Sequence, residues 1–131
     1  YIDTPYNSRQ YSDSYHLLEN VAKWEKPPVV GVARKMADRS DIKSDYCTKK
    51  APVVFKDLID NCNCKYIIVS YNNMAQKGDG RSNAKISDDE IIETLQSRGT
   101  VKIFDEDYKY FTAGKSTIEE HKERLFLCKV N

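Results

Sequence analysis

Lys65-Tyr66-Ile67-Ile68-Val69-Ser70-Tyr71 reads as a continuous apolar, β-branched run. A run of this length and composition fits a strand covered on both faces, as in a parallel sheet. The flanking segments support that reading. Upstream, Pro52 suits the first turn of a helix whose apolar face holds Val54, Phe55, Leu58, Ile59 and Cys62. Downstream, Met74 to Lys85 is polar and contains glycine, as an exposed loop does. Ser87-Asp88-Asp89-Glu90 then has the form of a capping box, with Ile91, Ile92 and Leu95 following on one helical face. Arg98-Gly99 closes that helix with a basic last turn and a glycine cap.

Two further strands follow, Thr100 to Phe104 and Arg124 to Val130. Residues 105–123 hold no convincing full helix, so these strands are expected as a long antiparallel hairpin at the sheet edge. At the other end, Tyr1-Ile2-Asp3 reads as the tail of a strand running into a proline turn. A helix is expected from Ser12 or Asp13, with Leu17, Leu18, Val21 and Trp24 facing the core and Pro27-Pro28 stopping it. Residues 31–50 lack periodicity. They carry Arg34, Lys35, Arg39, Lys43, Lys49 and Lys50 against Asp38, Asp41 and Asp45, and read as a basic loop. Alternating strands and helices predict an α/β domain with a mainly parallel sheet, an antiparallel edge hairpin and helices on its faces. There is no internal repeat and no low-complexity segment.

At 131 residues, 40% hydrophobic and 31% charged, the chain is long enough for one domain with its own core. Lysine and arginine (21) nearly balance aspartate and glutamate (20), a net charge of +1. That balance argues against a protein held on nucleic acid by bulk charge, but it leaves room for a local basic patch. No apolar run approaches the roughly 20 residues of a membrane span, and the opening residues do not resemble a signal peptide. The chain does not begin with Met, so it is expected to start inside a longer protein. Cys62-Asn63-Cys64 is not a zinc knuckle, and neither His16 nor His121 has a ligand-spaced partner. The four cysteines are therefore expected as reduced structural thiols in a cytosolic protein, with no metal.

The chemistry is concentrated in Asp3-Thr4-Pro5-Tyr6-Asn7-Ser8-Arg9-Gln10-Tyr11, just beyond the first strand. In an open α/β sheet the ligand crevice lies past the carboxyl ends of the strands. Asp3 can accept hydrogen bonds from an exocyclic amine. Pro5 cannot continue a ladder, which frees the Thr4 carbonyl, and Tyr6 can stack on a flat ring.

Asp3-Thr4-Pro5-Tyr6 resembles the (D/N)PP(Y/F) motif of methyltransferases that act on exocyclic amines of bases. The longer Asp3 to Tyr11 string is similar to the Dam-like and FokI-like adenine methylases. The resemblance runs on through Tyr66 to Asn73, the helix from Ser87, the strand to Phe104, the polar stretch Tyr108 to Thr117 and the strand around Glu123 to Leu127. It departs at Thr4, where many members have proline. The larger departure is the lack of the F-x-G-x-G cofactor loop and its helix, which lie upstream of the motif in this subgroup. Gly78 and Gly80 do not follow a strand and do not replace that loop.

The resemblance implies the C-terminal catalytic half of a Rossmann-like, S-adenosylmethionine-dependent DNA adenine-N6 methyltransferase. Such an enzyme belongs to a restriction-modification system of the bacterial cytoplasm. This half is expected to be inactive alone and to bind the cofactor weakly. The implied partners are double-stranded DNA and the N-terminal half, which carries target recognition. The target adenine is flipped out and stacks on Tyr6. Asp3, the one expected contact with the cofactor, and the Thr4 carbonyl turn the amine's lone pair toward the methyl group. Neither metal nor covalent intermediate is required.

Asn7, Arg9, Gln10, Asn72, Asn73, Lys43, Lys49 and Lys115 are the expected DNA or substrate contacts. Arg9 and Gln10 could instead cap the following helix, and Asn72 and Asn73 could merely end a strand. The basic loop could be a solvated insert. Lys115 with Tyr108, Tyr110 and Phe111 could be a hairpin tip. Two other functions stay open: methylation of an amine on RNA, cytosine or protein, and a non-catalytic nucleic-acid-binding module. The latter would give Asp3 no task.

Overall fold

The computed structural model describes residues 1–73, 75, 83–107 and 122–131. Helix α1 spans Ser12–Ala22, and a small hairpin of β1 (Val29–Val30) and β2 (Lys35–Met36) follows it. Two single turns of 3-10 helix lead to α2 (Ala51–Asn61). Then come β3 (Tyr66–Asn72), α3 (Asp88–Gln96), β4 (Gly99–Asp107) and β5 (Lys122–Val130).

The main sheet has the order β3-β5-β4, and both of its pairings are antiparallel. The expected mainly parallel ladder is therefore not what forms. Among the described residues parallel pairing is confined to one bridge between Ile2 and Val69, where the Ile2 N–H donates to the Ile68 carbonyl at 2.8 Å and the Ser70 N–H to the Ile2 carbonyl at 2.9 Å. The cause is the terminal hairpin. Its second strand folds back between β3 and β4 and separates two strands that run in the same direction. The Ile2 segment, β3 and β4 all point one way, and β5 alone opposes them. The antiparallel pairing of the last two strands is as expected.

The core lies between one face of this sheet and helices α2 and α3. Phe55 and Ile59 of α2, with Ile91 and Leu95 of α3, close over Ile67, Val69, Tyr71, Phe126 and Cys128. The β3 run was expected to be covered on both faces, but its burial alternates. Ile67, Val69 and Tyr71 are buried, Ile68 and Ser70 are half-buried and Tyr66 is exposed. The described residues place no helix over the second face, where Phe104 and Leu125 meet solvent.

The capping box of α3 forms as its sequence predicts: the Ser87 hydroxyl accepts from the Glu90 N–H, and the Glu90 carboxylate accepts from the Ser87 N–H at 2.7 Å. Arg98, expected to close α3, instead finishes α2. Its guanidinium donates to the carbonyls of Ile59 at 2.6 Å and Cys62 at 2.8 Å, and also to that of Asp60. Those are the C-terminal carbonyls a helix leaves unpaired. Gly99 sits so close to β5 that a Cβ there would lie 2.0 Å from the Lys129 carbonyl oxygen, so no larger residue fits.

Helix α1 departs furthest from expectation. Leu17, Leu18 and Val21 are more than 60% exposed and Trp24 is 91% exposed, so Trp24 is not core. The helix packs on the β1–β2 hairpin rather than on the sheet, and its buried residues are Ser12 and His16. Trp24 takes the left-handed cap position with φ 57°, while the Glu25 N–H reaches back to the Asn20 carbonyl at 2.8 Å.

Candidate active site

The Ile2 bridge holds the start of the chain beside the last residues of β3, and Asp3-Thr4-Pro5-Tyr6 turns away there. Tyr71, on β3, fixes the turn. Its hydroxyl donates to the Tyr6 carbonyl at 3.2 Å and accepts from the N–H groups of Lys85 at 3.3 Å and Ile86 at 3.2 Å. The Lys85 N–H also reaches the Tyr6 carbonyl at 2.7 Å. One buried phenol thus joins the turn, the strand and the entry to α3. The two tyrosine rings meet edge to face, 5.1 Å between centroids and 78° between planes.

The Tyr6 hydroxyl donates to Asp3 Oδ1 at 2.9 Å. Burial, and then that hydrogen bond, push the Tyr6 phenol well above the usual tyrosine range; the charge on Glu123 adds to this. Tyr71 is pushed up to about 12 by burial, against the opposing effect of the two N–H groups it accepts. Both phenols therefore remain neutral donors at physiological pH. Asp3 is exposed, Pro5 and Tyr6 are half-buried and Thr4 is buried, with its Oγ1 lacking a partner. An exposed carboxylate, a ring set against a second ring and an orphaned hydroxyl suit an amine-bearing planar ligand.

The neighbouring expected contacts divide. Asn7 Oδ1 accepts from the Arg9 N–H at 2.9 Å and shapes the turn, leaving the Arg9 side chain exposed. Gln10 does not cap α1. Its amide clasps the backbone of Ser44, donating to the carbonyl at 3.0 Å and accepting from the N–H at 2.8 Å. It thereby pins the basic segment to the start of the chain, beside the Asp3–Tyr6 turn. Asn72 and Asn73 are buried at the end of β3, beside that turn. Asn73 Oδ1 accepts from the Lys122 N–H at 3.0 Å, which ties the start of β5 to the same place.

In the basic segment, Lys35 and Arg39 pair with Asp13, and Lys50 pairs with Asp45. Lys43 and Lys49 are exposed, and neither has an ion pair within 4 Å among the described residues. Lys115, Tyr108, Tyr110 and Phe111 lie outside the described residues. Tyr71, Ser70 and Glu123 were not singled out by sequence. Tyr71 and Ser70 are hidden inside an apolar strand, and the only signal for Glu123 is its place at the head of the last one.

S-adenosylmethionine is the donor that the motif's resemblance implies. Gly31, in an exposed turn, and Gly99, against Lys129, form no cradle. A groove of about 500 Å³ runs along α1 past Leu17, Asn20, Val21, Trp24, Glu25 and Lys26, and none of the Asp3–Tyr6 turn lines it. Among the described residues, no cluster of His, Cys, Asp or Glu is arranged to hold a metal, and no helix is long and apolar enough to cross a membrane. The four cysteines are unpaired.

No family profile and no solved structure matches the chain. Curated proteins do. It is 60% identical over 74 residues to modification methylase StsI of Streptococcus sanguinis, covering 56% of this chain and 11% of that protein. It is 35% identical over 131 residues to type II methyltransferase M.FokI of Planomicrobium okeanokoites, covering 96% of this chain and 19% of the relative. Type II methyltransferase M.NlaIII of Neisseria lactamica is 32% identical over 123 residues, covering 93% of this chain and 33% of the relative. The chain is therefore homologous to a segment of these modification methyltransferases, and it spans between about a tenth and a third of their length.

Proposed function

We propose that this segment carries the base-binding and catalytic turn of a DNA adenine-N6 methyltransferase, as the C-terminal portion of a longer enzyme. The observation that carries the proposal is the Asp3-Thr4-Pro5-Tyr6 turn, held at the end of β3 by Tyr71 with the Tyr6 phenol on Asp3. The kinship with modification methylases supports the reaction class.

S-adenosylmethionine, bound chiefly by the rest of the enzyme, supplies an electrophilic methyl group. The residues of this segment position the nucleophile. Tyr6 stacks on a flipped adenine, while Asp3 Oδ and the Thr4 carbonyl accept hydrogen bonds from the two N–H groups of its amine. Those bonds favour a tetrahedral nitrogen and draw the lone pair out of the ring, and a fixed geometry lowers the barrier further. Lys43 and Lys49 contact phosphates at the rim.

The test is to supply the full-length protein with methyl-labelled S-adenosylmethionine and duplex DNA, then digest the product to nucleosides. Label is expected in N6-methyl-2′-deoxyadenosine. Label in cytosine, or label in RNA or protein only, overturns the assignment.

A further inference from the structure

Beyond Asp3, the end of β3 presents a second carboxylate. Glu123 lies at the head of β5, directly across from Asn72 and, on its other side, from Glu106 of β4. Side chains alternate across a sheet. Phe126 and Cys128 point into the helical core, so Leu125 and Glu123 point to the opposite face together with Ser70 and Asn72. Ile2 pairs with Val69 and packs against the core, so Asp3 turns to the same face as Glu123. The Tyr6 phenol donates to Asp3 and also feels the charge of Glu123.

The chain neighbours of Glu123 are neutralised, and among the described residues Glu123 is not. Lys122 pairs with Asp105 at 3.3 Å and Arg124 with Asp88, whereas among the described residues no cation or donor pairs with Glu123. A half-buried carboxylate without a partner is costly, and such groups call for an explanation.

We propose that Glu123 is a catalytic residue, the carboxylate that accepts the proton released when the target amine is methylated. This rests on the amine-methyltransferase reading above and deepens it. As the nitrogen lone pair forms the new N–C bond, the bond from the methyl carbon to the donor's sulfonium sulfur breaks, its electron pair stays on the now neutral sulfur of the leaving thioether, and the nitrogen becomes cationic. One N–H bond then breaks, its electrons remain on nitrogen, and the proton passes to a Glu123 Oε and on to water. The product is the neutral methylamine. Asp3 orients the amine, and Glu123 opposes the growing positive charge and removes the proton. The division follows from environment. Burial, and then the nearby Asp3 charge, raise the proton affinity of Glu123, which makes it the better base. The groups facing it are Asp3 and Tyr6 from the first segment, Asn72 from β3 and Glu106 from β4. Lys122 and Arg124 on its own strand are engaged elsewhere.

The test uses the full-length methyltransferase in single-turnover reactions with duplex DNA. Glu123→Gln is expected to lower the transfer rate by about 100-fold, with DNA and cofactor affinities unchanged, and to abolish the acid limb of the pH–rate profile. Glu123→Asp should restore part of the rate and the limb. Independently of activity, ¹³C-carboxyl NMR should show the Glu123 titration moving to lower pH in Asp3→Asn, since a neighbouring negative charge has been removed. Glu123→Gln turning over at the wild-type rate with an unchanged pH profile overturns the proposal. So does a loss confined to affinity, or a Glu123 titration indifferent to Asp3. Should Glu123→Gln fail to fold, Glu123→Asp and the wild-type titration decide. If Asp3→Asn itself transfers methyl normally, the site reading fails. If Asp3→Asn is dead and Glu123→Gln is not, only the role of Glu123 falls.

Discussion

Replacing Tyr71 with Phe removes a single oxygen and leaves the ring that packs edge-on to Tyr6. That oxygen serves three partners. Two of them lose little, because the Lys85 N–H and the Tyr6 carbonyl already bond one another at 2.7 Å. The Ile86 N–H, in contrast, belongs to a residue only 1% exposed and depends on the phenol at 3.2 Å. Leaving one buried donor unsatisfied costs about 1–3 kcal/mol. The loss falls on the local opening of the junction between residues 83–87 and the Asp3–Tyr6 turn, not on the whole sheet. At 1.36 kcal/mol per factor of ten, amide exchange there should accelerate roughly 5- to 160-fold. Hydrogen exchange of the full-length protein, read by mass on peptides covering residues 1–7 and 83–87, measures this. Peptides from α2 serve as the internal control and should not change. Transfer should slow as well, since the turn is held less firmly while Asp3 and Tyr6 themselves are intact. Acceleration below twofold at residues 83–87 would show that the phenol is not the tie inferred here.

Asp3→Ala should reduce the rate constant for methyl transfer with little effect on DNA binding, and single-turnover kinetics separate the two. Tyr6→Phe or Tyr6→Trp should retain much of the activity that Tyr6→Ala loses, because the ring face and not the hydroxyl holds the base; near-normal turnover by Tyr6→Ala refutes this. Replacing both Lys43 and Lys49 with alanine should weaken binding to all DNAs alike and lower the salt slope by about two units, roughly one per phosphate contact. Replacing Lys50, already paired with Asp45, should change the slope less; salt titrations decide. Gly99→Ala should destabilise by roughly 1–3 kcal/mol, since its Cβ would meet backbone that cannot swing aside. Thermal unfolding checks that cost.

Local signals in the sequence were reliable where one short rule sufficed. The Ser87–Glu90 capping box, the helix after Pro52 and the final hairpin each follow from a few neighbouring residues, and all three form. The turn at Asp3 was equally legible, because a carboxylate, a proline and an aromatic ring after a strand leave little freedom. What failed depended on distant partners. Periodicity shows that α1 has an apolar face but not what lies against it, so Leu17, Val21 and Trp24 were assigned to a core they do not reach. The β3 run was read as doubly covered for the same reason. The antiparallel insertion of β5 was hidden because pairing order is set by the packing of whole elements. Gln10 shows the limit within the site. Its clasp on Ser44 spans 34 residues of sequence, and nothing near Gln10 in the chain announces it.

The position of β5 also governs how the sheet can be assembled during synthesis. The central strand of the β3-β5-β4 sheet is the last of the three to leave the ribosome. Among the described residues, until 122–130 emerge β4 has no strand partner and β3 has only the Ile2 bridge, so two strands wait with open edges. Every described pairing of β4, and all but one of those of β3, then closes in a single late event over long stretches of chain, the kind of contact that forms slowly. A nascent chain stalled before Lys122 therefore carries both halves of a sheet and the means to complete neither. It is the species a chaperone would be expected to hold.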